Sequence, residues 1–183
     1  MVLGIIGKIG SGKSACIKYL MKNYNVCVYS CDEIAKEMLN NNETVYEKDE
    51  FNDIFTNEKK QKECRSNFHP LVYKKIKNDI LELSKKSEYK NITFIIESAL
   101  PSEFLYDICD KVIFIDCSDK VKIERLKEKR SYTEEKSKKI LDLQKYYDEF
   151  YKMADYVILN DTILDEFEKK IKEVMDEICV IRK

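Results

Sequence analysis

The chain has 183 residues, 44% of them apolar, and its 33 basic and 34 acidic residues leave a formal charge of -1 at pH 7. That length holds one sizeable core with at most a small lobe attached, and the balanced charge, with no long run of one sign, excludes a basic arm for nucleic acid or an anionic membrane. With no apolar stretch of about 18 residues and no basic lead into a long apolar run at the N-terminus, the expectation is a soluble, cytoplasmic protein, monomeric or weakly homo-oligomeric, that binds neither nucleic acid nor membrane.

Val2 to Ile6 is a short apolar run leading into glycines, and from Ser14 to Tyr24 the residues Ile17, Leu20, Met21 and Tyr24 follow the spacing of a helix face. Val26 to Tyr29 reads as a second buried strand. Ser30-Cys-Asp-Glu33 is a capping-box pattern that opens a helix through Ile34, Ala35, Met38 and Leu39. Asn40 to Asn67 is polar and turn-rich, with weak helical patches at Tyr46 to Phe55 and Lys59 to Arg65, which predicts a mobile helical lobe. Pro70 starts the next helix, with Leu71, Ile76, Ile80 and Leu83 inward, and the β-branched run Ile92 to Ile96 forms a third strand ending on Glu97.

Lys111 to Asp116 predicts a fourth strand, Val121 to Lys129 a helix, Thr133 to Tyr151 one longer helix, and Asp155 to Leu159 a fifth strand. The last helix follows from Asp161, with Leu164, Phe167, Ile171, Val174 and Ile178 on one face. Continuous apolar strands separated by helices predict an α/β three-layer fold around a five-stranded parallel sheet, with ligands at the carboxyl edge of the strands. The seven cysteines are scattered without a C-x-x-C pair and the only histidine is His69, so neither a disulfide framework nor a zinc site is indicated.

Chemistry concentrates first at Gly7-Lys-Ile-Gly-Ser-Gly-Lys13-Ser14, which satisfies the phosphate-loop pattern and lies between the first strand and the first helix. All four glycines of the chain fall within its first twelve residues. Glycines let backbone N–H groups turn inward around a phosphate, Lys13 reaches the β- and γ-phosphates, and Ser14 can ligate Mg²⁺ at a helix N-terminus that favours anions. ATP and Mg²⁺ are the implied cofactors.

Parallel topology returns Asp32 to the same sheet edge, where its carboxylate suits the proton of an attacking hydroxyl and equally suits the dipole of the helix it opens. Glu97 ends four apolar residues and suits a water-mediated Mg²⁺ contact or a turn cap. Arg125, Lys127, Lys129 and Arg130 load one helix end, as a lid over transferring phosphate or as a solvated face. His69-Pro70, on its own chemistry, reads as a loop residue before a proline.

With these residues placed, the chain resembles the dephospho-CoA kinase family, within the nucleoside-monophosphate-kinase-like group of P-loop proteins, over nearly its whole length. The matching stations are GIIGKIGSGKS through Ser14, SCDEIAKE from Ser30, His69-Pro70, FIIESAL from Phe94, RLKEKRSYTEE from Arg125, Gln144, and ADYVILN ending at Asn160. The resemblance implies transfer of the ATP γ-phosphoryl to the ribose 3′-hydroxyl of dephospho-CoA, the last step of coenzyme A biosynthesis. It makes Asp32 the base and Lys13, Lys129 and Arg130 the cations on the transferring phosphate. Gly7, Lys8, Ile9, Gly10, Ser11, Gly12, Lys13, Ser14 and Ala15, with Arg125 and Asn160, would hold ATP. Asp32, His69, Glu97 and Leu100 would meet the acceptor, and Ser14, with Glu97 through water, would hold Mg²⁺.

On that likeness, residues 1–183 form a single kinase domain with an acceptor lobe at about 40–87 and a lid at about 125–133. The chain departs from the family pattern at Lys8, where a second glycine is usual, and at Ser30, where the family has the first acid of Asp-x-Asp. It departs also at Glu97 and Ala99, where Asp and Pro are usual, and at Lys129, which replaces an arginine with Arg130 one place late. The stretch between Asp32 and His69 is shorter than usual. A kinase for another small-molecule or nucleotide hydroxyl, or a catalytically weak ATP-binding regulator, are the rival readings.

Overall fold

Apolar runs with a two-residue alternation decide the centre of the molecule. In the computed structural model, which describes residues 1–41, 43–44 and 57–180, the strands Val2–Ile6 (β1), Val26–Ser30 (β2), Thr93–Glu97 (β3), Lys111–Asp116 (β4) and Tyr156–Leu159 (β5) form one sheet in the order β2-β3-β1-β4-β5. Every neighbouring pair is parallel. Leu3, Ile5, Ile95, Ile113 and Ile115 face one layer, whereas Ile6, Phe94, Ile96, Val112 and Phe114 face the other. Each such buried side chain contributes about 1.5–3 kcal/mol.

The first layer is covered by Lys13–Asn23 (α1) and Leu164–Val180 (α8), through Cys16, Leu20, Phe167, Ile171, Met175 and Ile178. The second is covered by Cys31–Asn40 (α2), through Ile34 and Met38, and by His69–Leu83 (α4), through Val72, Tyr73, Ile76 and Ile80, with Glu58–Glu63 (α3) leading into it. Asp119–Arg130 (α5), Glu134–Leu143 (α6) and Tyr147–Met153 (α7) complete the described helices.

Several expectations change here. β2 is an edge strand, so its residues are half-buried rather than buried. On α1 the inward position is Cys16, and Met21 is exposed. The single helix expected over Thr133 to Tyr151 is broken at Gln144, Lys145 and Tyr146, because Gln144 turns inward to bond a distant backbone group. The last helix begins at Leu164, which is exposed.

The helix expected from Pro70 begins one residue earlier, at His69, with the proline in its first turn, and it continues a helical run that starts upstream. Asn57 caps α3 by accepting from the Lys60 N–H, and the run continues through a π-helical turn at Cys64–Phe68 directly into α4. The His69 N–H donates to the Cys64 carbonyl, one residue further back than in an α-helix, so the ladder widens just ahead of a residue with no N–H to give. The wide turn also resets the helical phase, so His69, Val72, Tyr73, Ile76 and Ile80 face inward and Leu71 faces out. The expected helical patch at Lys59 to Arg65 thus belongs to this run, whereas that at Tyr46 to Phe55 lies outside the described residues. Among the described residues six cysteines are free, of which Cys16, Cys31, Cys64 and Cys117 are buried.

Candidate active site

The carboxyl ends of β1, β2, β3 and β4 converge because the sheet is parallel, and the loop after β1 fills the point of convergence. Gly7 has φ +149°, and a Cβ there would lie 2.1 Å from the Ile115 carbonyl oxygen, so only glycine lets the loop press against β4. The loop ends at Gly12, whose carbonyl accepts the first backbone bonds of α1, leaving the positive end of that helix open to an anion. Lys13 Nζ folds back to the carbonyls of Gly7 at 2.8 Å and Lys8 at 3.4 Å. Burial lowers its pKa, against the opposing charges of Glu97 and Asp32.

The loop is braced from three directions. Asn160, just beyond β5, donates from Nδ2 to the Ser11 carbonyl at 2.8 Å. Arg125 on α5 donates to the carbonyls of Gly10, Ser11 and Asn160 at 3.3, 3.3 and 3.0 Å. From the α6–α7 turn, Gln144 Oε1 accepts the Ile9 N–H at 2.9 Å and Asp148 pairs with Lys8 at 2.8 Å. Behind the loop Lys122, almost fully buried, pairs with Asp116 and Asp119.

Facing the loop are two carboxylates. Ser30 and Glu97 are in register at the ends of β2 and β3, and the Ser30 hydroxyl lies 3.5 Å from Glu97 Oε2. Asp32 stands in the first turn of α2, two residues past the cap Ser30. Burial raises the pKa of both acids; the Lys13 charge opposes this in each case, and the charge of Asp32 pushes Glu97 up further. The Lys13 ammonium thus lies under the influence of both.

These groups line one cleft of about 610 Å³. Five cations face it, Lys13, Lys18, Arg125, Lys129 and Arg130, against two acids, Asp32 and Glu97. An excess of that size, at a helix N-terminus, suits a polyphosphate. At one end Thr162, Leu164 and Phe167 add a less polar wall.

A family model described as dephospho-CoA kinase matches residues 50–166, more than half of the chain. The chain belongs to the dephospho-CoA kinase family. It is similar to the dephospho-CoA kinase of Fusobacterium nucleatum, at 28% identity over 196 residues covering 97% of this chain and 98% of that one. The dephospho-CoA kinase of Gamma-proteobacterium EBAC31A08 is 26% identical over 190 residues, 93% of each chain. Among solved structures, dephospho-CoA kinase from Campylobacter jejuni superposes with a TM-score of 0.58 at 23% identity, covering 97% of this chain and 96% of that one. Shikimate kinase from Bacteroides thetaiotaomicron does so with 0.61 at 16%, covering 96% and 98%. The two superpositions establish a shared P-loop kinase fold. As a dephospho-CoA kinase family member the chain is an ATP-dependent transferase.

Of the residues that the sequence put forward, Ile9, Gly10, Gly12, Lys13, Ser14, Ala15, Asp32, Glu97, Arg125, Lys129, Arg130 and Asn160 come together around the cleft. Gly7, Lys8 and Ser11 belong to the loop but not to the cleft wall; Ser11 is fully buried and Lys8 turns away to Asp148. His69 and Leu100 are buried in the second layer, and neither lines the cleft. The His69 ring meets Tyr73 edge-on at 5.8 Å, and its pKa is pushed down to about 4, by burial first and then by the Arg65 charge.

Lys18, Thr162, Leu164 and Phe167 were missed as cleft residues, and Gln144, noted only as a station of the family pattern, had no site role assigned. For Gln144 the available signal was a lone polar residue between apolar helix positions; it is 1% exposed, and its amide also bonds Tyr147, whose hydroxyl donates to the Ala99 carbonyl. The residues present fit Mg²⁺. Ser14, Asp32 and Glu97 offer only oxygen to the cleft. That combination suits a hard cation that keeps water and shares a nucleotide's phosphates. No helix of the described residues is long and apolar enough to cross a membrane.

Proposed function

We propose that this chain transfers the γ-phosphoryl of ATP to the ribose 3′-hydroxyl of dephospho-CoA, forming coenzyme A and ADP. The observation that carries the reading is a single cleft holding the phosphate loop, a buried carboxylate opposite it and the cationic end of α5. Lys13 exchanges its contacts with the Gly7 and Lys8 carbonyls for the β- and γ-phosphates, while the N–H groups that open α1 hold the phosphate oxygens. Mg²⁺, bound through Ser14 and through water to Glu97, would neutralise phosphate charge when present.

The acceptor oxygen forms a bond to the γ-phosphorus as the bond from that phosphorus to the ADP oxygen breaks, and the hydroxyl proton passes to Asp32. Burial raises the pKa of Asp32, which makes it a stronger base than an exposed carboxylate. Lys129 and Arg130 close over the transferring group, which supports a lid at about 125–133. Asn160, beside the less polar wall of Thr162, Leu164 and Phe167, faces the adenine of ATP. Residues 1–183 act as one domain with the acceptor lobe at about 40–87, and His69 in that lobe and Leu100 after β3 support the acceptor wall from within the core. The balanced charge, with no long run of one sign, supports small molecules rather than nucleic acid or membrane as partners, for an enzyme that we place in the cytoplasm as a monomer or weak homo-oligomer.

The test is an ADP-release assay with ATP, Mg²⁺ and dephospho-CoA, with mass detection of a phosphoryl gain of about 80 Da on the acceptor and Lys13→Ala as control. Equal yields of ADP and coenzyme A, lost in the control, support the reading. ATP binding with no coenzyme A, or a product only with another acceptor, sinks it.

A further inference from the structure

The loop that faces the cleft is braced mostly through its carbonyls: Lys13 donates to those of Gly7 and Lys8, Arg125 to those of Gly10 and Ser11, and Asn160 to that of Ser11. Ile9 is held differently. Its N–H donates to Gln144 Oε1 at 2.9 Å, and among the described residues it is the one loop N–H taken by a side chain from another element. Such loops hold phosphate with their N–H groups, so committing one to a buried carboxamide withdraws it from that task.

Planarity of the peptide shows what this achieves. The Lys8 carbonyl and the Ile9 N–H belong to one planar trans peptide and point to opposite sides, so fixing one aims the other. With its N–H held by Gln144, the peptide turns its carbonyl to the Lys13 ammonium at 3.4 Å and to the Ser11 N–H at 3.2 Å. Turned over, the same peptide would present an N–H where the ammonium now finds an oxygen. The Lys8 side chain is pinned as well, to Asp148, so both anchors come from the segment that joins α6 to α7.

The other end of the carboxamide is also committed. Gln144 Nε2 donates to the Tyr147 hydroxyl at 3.3 Å, and that hydroxyl donates to the Ala99 carbonyl. Ala99 stands two residues beyond Glu97, the last residue of β3. Ile9, Gln144 and Ala99 all line the cleft, with Tyr147 completely buried beside them. One chain of bonds therefore runs from the phosphate loop to the segment that follows the cleft acid, and a buried chain whose members are satisfied fixes geometry. The helix expected over Thr133 to Tyr151 is interrupted at the residue that supplies this carboxamide.

We propose that Gln144 is a positioning residue for phosphoryl transfer: through the Lys8–Ile9 peptide it stations the Lys13 ammonium, and through Tyr147 it sets the separation between the phosphate loop and the segment after Glu97. The inference rests on the phosphoryl-transfer reading above, though not on which hydroxyl accepts. Gln144 acts on the reactants only through these neighbours. Its removal should slow transfer far more than it weakens ATP binding, which the N–H groups opening α1 supply.

Three measurements test it together: ADP release with ATP, Mg²⁺ and dephospho-CoA, calorimetric titration of ATP, and hydrogen exchange at the Ile9 amide followed by NMR. Gln144→Met keeps the length of the side chain and removes its strong donor and acceptor. It should lower kcat by about 10²-fold with ATP affinity changed only a few-fold, and Ile9 exchange should quicken by roughly 10-fold or more. Gln144→Glu keeps an acceptor for Ile9 and should recover part of both kcat and Ile9 protection. Tyr147→Phe leaves Ile9 held, so exchange there should stay slow while kcat falls a few-fold, and it keeps the proposal testable if Gln144→Met does not fold. Unchanged kcat in these variants, equal losses of kcat and ATP affinity, or fast Ile9 exchange in the wild type overturns the role. A wild type that phosphorylates only another acceptor sinks the dephospho-CoA reading alone, and the same comparison is then read with that acceptor; one that transfers to none overturns both.

Discussion

The two walls of the cleft are finished to different degrees. On the ATP side the loop carbonyls of Gly7, Lys8, Gly10 and Ser11 already hold cations or amide donors from Lys13, Arg125 and Asn160, and only the Ser11 hydroxyl is left over. Behind the opposite wall, in the helical run of the second layer, Gln61 Nε2, Arg65 Nε and His69 Nδ1 are buried without a hydrogen-bond partner. A loop that must pack against four strands can be stabilised by the fold itself, and it then needs little rearrangement to receive phosphate. A helical run docked on the sheet by Phe68, Val72, Tyr73 and Ile76 has its apolar contacts complete but leaves Gln61 Nε2, Arg65 Nε and His69 Nδ1 unmatched. The contrast is between a loop whose polar groups the fold itself satisfies and a helical run whose polar groups it does not.

Asp32 is where the halves meet, so its removal should have the largest effect. Asp32→Asn should lower kcat by about 10²–10⁴-fold while calorimetry shows ATP affinity nearly intact; parallel losses of both would mean that the carboxylate belongs to the ATP side alone. Lys13→Ala should lower kcat/KM by about 10²–10³-fold in the ADP-release assay. If dephospho-CoA titration into that variant is unaffected, the halves bind independently.

A pH–rate profile sharpens the same point. Asp32 must be ionised to accept the proton, and burial holds its pKa above the ordinary carboxylate range, so kcat/KM should fall as pH drops through that raised value. An acid limb at the ordinary carboxylate value would remove Asp32 from the role.

Stability should run the other way. Asp32 and Glu97 bind protons more tightly in the folded chain than in the unfolded one, so their contribution is present at low pH and is lost as pH rises from the unfolded value through the raised folded value. Glu97→Gln should therefore raise the melting temperature of the ligand-free protein near neutral pH by a few degrees, of the order of 2–4 °C. No rise would mean that Lys13 already compensates the buried charge. The smallest effect is expected at the brace on Lys8, where the Asp148 carboxylate is largely exposed. Asp148→Asn should shift stability by less than about 1 kcal/mol in denaturant titration, and a larger loss would show that the ATP side depends on it.

How much of this the sequence disclosed follows from how local each feature is. The phosphate loop spans consecutive residues and Asp32 and Glu97 each stand at the end of an apolar strand, so motif and topology sufficed for them, whereas Asn160 came only from the family resemblance. The break at Gln144 has no glycine or proline to announce it; its cause is a bond to Ile9, which is remote in sequence. Leu71 was assigned inward because the count started at Pro70, whereas the phase is set upstream by the turn at Cys64–Phe68. Gln61 and Arg65 looked like solvated positions in a weak helical patch, and only their docking against Tyr146 and the second layer shows otherwise. Leu164 reads as one more apolar helix position and instead stands exposed at the mouth of the cleft.

The wide turn at Cys64–Phe68 makes chain length itself a determinant of how this helical run is seated. Deleting one residue there would restore the ordinary winding and turn α3 by about 100° relative to α4, carrying Gln61 and Arg65 off their inward positions while Asp32, the phosphate loop and the sheet kept their places. The seat of the run is thus written in a count of residues rather than in the chemistry of any one side chain.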